Sequence, residues 1–178
     1  MLNNWALSLY NAGYPASAEP IARHALAVTE QQVGSNDPAR ALSLNNLANV
    51  LREQGNLIEA ELLLRRARRI MVTAFGPNDP ETVTVEIGLA FVLQMKGQYS
   101  EAEPLLRRAL AITEKVLGRE HIMTAASLSN LASLLHDKGD NVTAELLLRR
   151  ALAIHERVLG QDNPYSQRIR KKLEDLPK

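Results

Sequence analysis

The sequence predicts an all-α protein, a right-handed α-solenoid of antiparallel helix hairpins, and three observations carry that expectation. The first is a set of four glycines, Gly13, Gly55, Gly97 and Gly139, which recur at one interval of 42 residues without a gap. The second is that Gly34, Gly76, Gly118 and Gly160 keep the same interval, as do Ala18, Ala60, Ala102 and Ala144, and Ala25, Ala67, Ala109 and Ala151. The third is apolar spacing. Leu44, Leu47, Ala48 and Leu51 fall at i, i+3, i+4 and i+7, one face of a helix. A fixed period of this kind is the signature of stacked supersecondary units, each too small to bury its own apolar face.

The first helix of each repeat carries that leucine stripe, repeated as Leu89, Ala90 and Leu93 and as Leu128, Leu131, Ala132 and Leu135. After Gly55 a second helix carries Ala60, Leu63, Leu64, Ala67, Ile70 and Met71 and ends near Phe75. Alanines at fixed points on both helices let two backbones approach closely enough for their leucines to interdigitate. Gly55 and its equivalents suit a left-handed residue closing the first helix, and Gly76 and its equivalents, Gly34 included, are expected to close the second in the same way. In Asp37-Pro38, Asp79-Pro80 and Asn163-Pro164 the polar residue can cap the next helix while proline takes its first position. His121-Ile122 departs from that pattern, so the third junction is expected to be looser.

These residues resemble a known family. Leu44, Leu47, Ala48, Leu51, Gly55, Ala60, Leu64 and Ala67 match the spacing of the tetratricopeptide repeat (TPR), with Trp5 at its large-residue position. The usual unit is about 34 residues. The longer second helix and the ending Leu159-Gly160 to Pro164 look like the 42-residue variety of kinesin light chains. The resemblance implies one TPR superhelix over 1–178, with repeats of about 1–40, 41–82, 83–124 and 125–166. A C-terminal helix over 167–178 keeps Leu173 and Leu176 in register and turns polar elsewhere, as a solenoid cap does. No such cap precedes Trp5. A missing upstream repeat and self-association through the uncapped N-terminal repeat are therefore expected.

Composition narrows the function classes. The net charge of +1, from 21 Lys and Arg against 20 Asp and Glu, gives no field to draw in nucleic acid or an anionic membrane. With no cysteine there is no disulfide or thiolate chemistry, and no apolar run reaches the 18 or so residues of a spanning helix. The start, Met1 to Tyr10, does not read as a secretory signal, and a cytoplasmic protein is the expectation.

The functional candidates lie opposite the leucine stripe of the first helices. In the second repeat that arc holds Asn45, Asn46, Asn49, Arg52 and Glu53; in the first, Asn3, Asn4, Leu7, Tyr10 and Asn11. The third arc holds Ile87, Gly88, Phe91, Gln94 and Met95, and the fourth Ser129, Asn130, Ser133, His136 and Asp137. Asparagine is a poor helix former, so its repeated use within helices asks for a reason. Its amide both donates and accepts, which suits the backbone of an extended peptide. The resemblance implies that these arcs line a concave face and that asparagine at the position of Asn4, Asn46 and Asn130 binds peptide backbone. Ile87, Phe91 and Met95 form an apolar anchor on that side, or else pack against a neighbouring helix. A basic clamp for acidic tails is not expected, because Arg52 is the one basic residue in these arcs.

The arginines of the second helices, Arg65, Arg66, Arg68, Arg69, Arg107, Arg108, Arg149 and Arg150, raise a nucleic-acid reading that their spacing counters. Glu19, Glu61, Glu103 and Glu145 precede Arg23, Arg65, Arg107 and Arg149 by four residues, the favourable order for helix-surface ion pairs. Base-stacking aromatics make up only 4% of the chain. The four histidines include no His-x-x-x-His pair, and no phosphate loop is present, so neither metal nor cofactor is implied. Ser133, His136 and Asp137 share one helix face and read as solvated polar residues rather than a triad. The expectation is a non-catalytic module that binds a protein or peptide on its concave face, with a scaffold segment of a larger signalling protein as the alternative.

Overall fold

A computed structural model describes residues 1–177, and every regular element among them is helical. In order these are α1 (Leu2–Asn11), α2 (Pro15–Gln32), α3 (Pro38–Glu53), α4 (Leu57–Phe75), α5 (Pro80–Met95), α6 (Tyr99–Leu117), α7 (Ile122–Asp137), α8 (Asn141–Leu159) and α9 (Pro164–Glu174). They fall into two compact units, Met1–Gly97 with α1 to α5 and a second beginning at Gln98 with α6 to α9. The division lies within the third repeat expected from the sequence.

In the first unit each helix packs against the next, and α3 also touches α1 and α5. Its core is Leu44, Leu47, Leu51, Leu64 and Met71, all nearly inaccessible. In the second unit α6, α7, α8 and α9 pack in succession around Leu106, Leu128, Leu131, Leu134, Leu135 and Ile154. The alanine registers are packing registers. Ala18, Ala60, Ala102 and Ala144 are fully buried, and so, within 3%, are Ala25, Ala67, Ala109 and Ala151. One core position breaks the pattern: where the other repeats carry Leu2, Leu44 and Leu128, the third carries Glu86, which is 0% exposed.

The junctions repay closer reading. Gly76, Gly118 and Gly160 close α4, α6 and α8 with φ of 88°, 97° and 90° and ψ of 168°, 157° and 162°. That combination is not the left-handed helical conformation but an extended one at positive φ, open essentially to glycine alone. Gly34 does not share it: α2 stops at Gln32 and Val33 is already extended at φ −128°, so no reversal remains for Gly34 to make. The carbonyls of the three positive-φ glycines accept hydroxyl hydrogen bonds six residues on, from Thr82 at 2.8 Å, Thr124 at 2.7 Å and Ser166 at 2.9 Å. Arg40 takes the equivalent place in the first junction and pairs with Glu30 instead, at 2.8 Å.

The third junction is not looser than the rest. His121 has the same extended backbone as Asp79 and Asn163, and its Nδ1 accepts from the Met123 amide at 3.1 Å. The imidazole nitrogen does the work of the carboxylate or amide oxygen, which reaches the equivalent amide at 2.8 to 2.9 Å in Asp37, Asp79 and Asn163. The helix expected over 167–178 begins three residues earlier, at Pro164, and docks on α8 through Ser166 and Ile169. Leu173 and Leu176 are half-buried, and Lys178 lies outside the described residues.

Candidate functional site

Eight of the candidate residues belong to the first unit. Asn45, Asn46, Asn49 and Arg52 of α3 and Ile87 and Phe91 of α5 are half-buried, whereas Asn4 of α1 and Met95 of α5 are exposed. The structure brings α3 and α5 together at Gly88, which holds the asparagine position of the third repeat. A Cβ there would stand 3.2 Å from Leu64 Cδ2, 3.4 Å from Asn45 Oδ1 and 3.9 Å from Asn49 Oδ1. Any side chain at this position would press its Cβ on the end of Leu64, which would have to shift by a few tenths of an ångström. Asn45 Oδ1 is enclosed and has no hydrogen-bond partner in the protein.

Arg52 is committed to its neighbours. Its guanidinium donates to Tyr10 Oη at 3.0 Å and to Glu53 at 2.8 Å, and lies 5.6 Å from the centre of the Phe91 ring. Only 15% of the side chain is exposed. Burial holds the Tyr10 phenol above its ordinary value, with Glu53 adding to the rise and Arg52 opposing it. Phe91 is therefore not a bare anchor: a cation covers one face of its ring, and Met95 beside it on α5 is 57% exposed.

The other three candidates belong to the second unit. Asn130 and Ser133 of α7 are half-buried, and Asn130 lines a cleft enclosed by α7, α8 and α9. His136 is exposed and its Nδ1 shares a 2.7 Å hydrogen bond with Asn141 Oδ1, which ties it to the start of α8 rather than to Ser133. No single helical stripe of the sequence marks this cleft, because its walls come from three helices.

On the second helices the Glu-Arg pairs form as their spacing predicts: Glu19 with Arg23, Glu61 with Arg65, Glu103 with Arg107 and Glu145 with Arg149. Cross-repeat partners were not foreseen. Lys96 also reaches Glu61, Lys138 reaches Glu103 at 2.7 Å, and Arg66 reaches Glu30 at 2.8 Å. The Lys96 and Lys138 hydrogen bonds, more than the neighbouring arginines, hold the Glu61 and Glu103 carboxyls below the usual carboxylate range. Much of the basic face is thus locally neutralised, although each exposed pair contributes little to stability. No group of three or more His, Asp or Glu among the described residues is placed to hold a metal ion, and no described helix is long and apolar enough to cross a membrane.

Comparison with known proteins agrees with the helical-repeat fold. Among solved structures, a Podosopora anserina protein described as a kinesin light chain with nearly identical TPR-like repeats is 26% identical, with a TM-score of 0.81. The match covers 97% of this chain and 82% of that one. BtubC (BKLC) from P. vanneervenii is 23% identical over 94% of this chain and 67% of that one, with a TM-score of 0.79. The N-terminal domain of stress-induced protein-1 from C. elegans shares the fold more distantly, with 15% identity over 80% of this chain and 100% of that one and a TM-score of 0.54. No curated protein matches. The tetratricopeptide repeat family model matches residues 1–71 and 74–157, and with its period of 42 residues the chain belongs to the tetratricopeptide repeat family, in its kinesin light chain-like form.

Proposed function

We propose that this chain, whose tetratricopeptide repeats belong to a family that generally mediates protein-protein interaction, is a non-catalytic interaction module that binds an extended polypeptide on the arcs of the first helices α1, α3 and α5 of its first unit. The observation that carries the reading is the asparagine cluster of α3. Asn46 and Asn49 are half-exposed in mid-helix, where they cost helix stability. A bound backbone supplies the donors and acceptors that these amides lack. Met95 and the uncovered part of Phe91 supply an apolar contact that selects one side chain of the ligand.

The test is selection of a random-peptide display library on the isolated chain. Recovery of an extended motif whose binding is weakened by Asn46→Ala and by Phe91→Ala supports the reading. A motif insensitive to both substitutions, but sensitive to charge reversal at Arg65 and Arg69, places the contact on the second helices and rejects it.

The exposed indole of Trp5, 58% accessible on α1 beside an exposed Leu7, supports a further contact, self-association through the N-terminal repeat. Sedimentation velocity with wild type and Trp5→Glu decides this. A concentration-dependent dimer lost in the variant supports it, and a monomer throughout rejects it.

A further inference from the structure

One position of the repeat pairs the second helix with the first helix of the next repeat, fourteen residues on, and its chemistry is matched three times and mismatched once. Thr29 and Ser43 share a hydrogen bond of 2.9 Å, and Thr113 donates to Ser127 at 3.3 Å. Met71 and Val85 hold the same places as an apolar pair, each 1% exposed. The fourth pair is His155 with Ile169. His155 is 6% exposed, so it is desolvated like the others, but isoleucine offers nothing to its ring and its Nδ1 is buried without a hydrogen-bond partner. An unpaired buried polar atom costs stability, and a methionine would have avoided that cost, as it does in the second repeat.

The His155 ring also forms part of the wall of a cleft between α7, α8 and α9, a space of about 370 Å³. Its walls include Ile122, Ala126 and Ile169, which favour an apolar body. Its rim carries two cations one helical turn apart on α9, Arg168 and Lys172, next to the Asn130 amide. Arg168 stacks over Tyr165 at 5.2 Å, and Lys172 has only the charge of Asp137 near it in compensation. Burial and the neighbouring Arg168 both hold the Lys172 ammonium below its ordinary value, a cost that an incoming anion would relieve.

We propose that this cleft is a binding site for a small organic acid, with its apolar body against Ile122, Ala126, Ile169 and the His155 ring and its carboxylate between Lys172 and Arg168. This goes beyond polypeptide binding on the arcs, and the two can fail separately.

The probe is phenylacetate, titrated into the 15N-labelled chain, with the uncharged phenylacetamide as its match in shape. Phenylacetate is expected to shift the amides of Ile122, Ala126, His155 and Ile169 saturably at millimolar concentration and to raise the His155 ring pKa. Phenylacetamide is expected to bind about tenfold or more weakly, the factor for losing a charge-assisted hydrogen bond. Lys172→Gln should weaken phenylacetate to a similar degree. His155→Met, which copies the Met71 and Val85 pair, should weaken binding by reshaping the cleft wall while raising the melting temperature, so loss of binding cannot be ascribed to unfolding. The proposal is overturned if phenylacetate causes no saturable shift, if the amide binds equally well, or if the shifts map away from α7, α8 and α9. Binding by a peptide with a free carboxyl end, but not by phenylacetate, also overturns it.

Discussion

Arg68 Nε donates to Glu86 Oε1 at 2.7 Å, and that carboxylate is 0% exposed in the place where the neighbouring repeats bury a leucine. The guanidinium keeps 37% of its own surface in water, so the pair spans the boundary of the first unit's core, with only its anion fully desolvated. Such pairs rarely stabilise relative to apolar residues of similar size, yet breaking one from a single side is costly. Arg68→Ala should therefore destabilise by about 2 kcal/mol or more, whereas Arg68→Leu with Glu86→Leu should be neutral or stabilising. Urea denaturation of the single and double variants checks both outcomes. A silent Arg68→Ala would mean that the carboxylate is held by other means.

The junctions predict a second, smaller effect. Thr124 is buried and donates to the Gly118 carbonyl at 2.7 Å, and Gly118 has a backbone open only to glycine. Thr124→Val keeps the shape and removes the donor, leaving that carbonyl only the His121 amide at 3.3 Å, at a cost of about 1 kcal/mol. Gly118→Ala should cost more, about 1 to 3 kcal/mol, because alanine must strain or the end of α6 must unwind. Thermal melts of the two variants should rank in that order.

Acid should unfold the chain in two windows. Burial, aided by Arg168, holds the His155 imidazole below its ordinary 6.5. Above pH 6.5 the ring is neutral in both folded and unfolded chains; as pH falls below that, the unfolded chain takes the proton first and stability is lost towards the folded pKa. The charged group that acts on the ring is Arg168 of α9, which opposes a second positive charge, and Lys172 lines the same cleft. Hydrogen bonds from Arg40 to Glu30, Arg23 to Glu59, Lys96 to Glu61 and Lys138 to Glu103 hold those carboxyls below 4.5, so their contribution is complete above pH 4.5 and is lost only below it. His155→Met should erase the upper window and leave the lower one, as read by melting temperature against pH.

What the sequence made legible follows from which constraints repeat. Ala60 and Ala102 could be recognised as packing residues because every repeat needs the same close approach, and each stands buried where the register put it. Glu86 was readable in principle, since it interrupts the register of Leu44 and Leu128, but a single glutamate on a helix looks like a surface residue until its neighbours are known. The cap at His121 was misread because imidazole is a rare substitute for a carboxylate, and only the geometry shows its Nδ1 aimed at the Met123 amide. Arg52 over Phe91 depends on side-chain direction between repeats, which periodicity does not encode. The mismatch of His155 with Ile169 was in the sequence throughout, at a spacing of fourteen that joins one repeat to the next.

The asparagine arc makes the prediction closest to function, and the structure sharpens how its two kinds of contact should separate. Asn46 is half-exposed on α3, so Asn46→Ala removes a neutral amide without disturbing the core. Its loss should weaken every polypeptide ligand alike, by about 1 kcal/mol, because backbone contacts carry no sequence information. Phe91 is half-buried beneath the Arg52 guanidinium, and Phe91→Ala removes the ring while leaving Arg52 its hydrogen bonds to Tyr10 and Glu53. That substitution should cost about 2 kcal/mol for ligands with an apolar anchor and little for those without one. Isothermal titration with a peptide pair differing only at the anchor residue separates the two effects, and circular dichroism melts of both variants establish that the fold is intact. If both substitutions weaken both peptides equally, the contacts do not divide into backbone and anchor, and the arc does not read its ligand in this way.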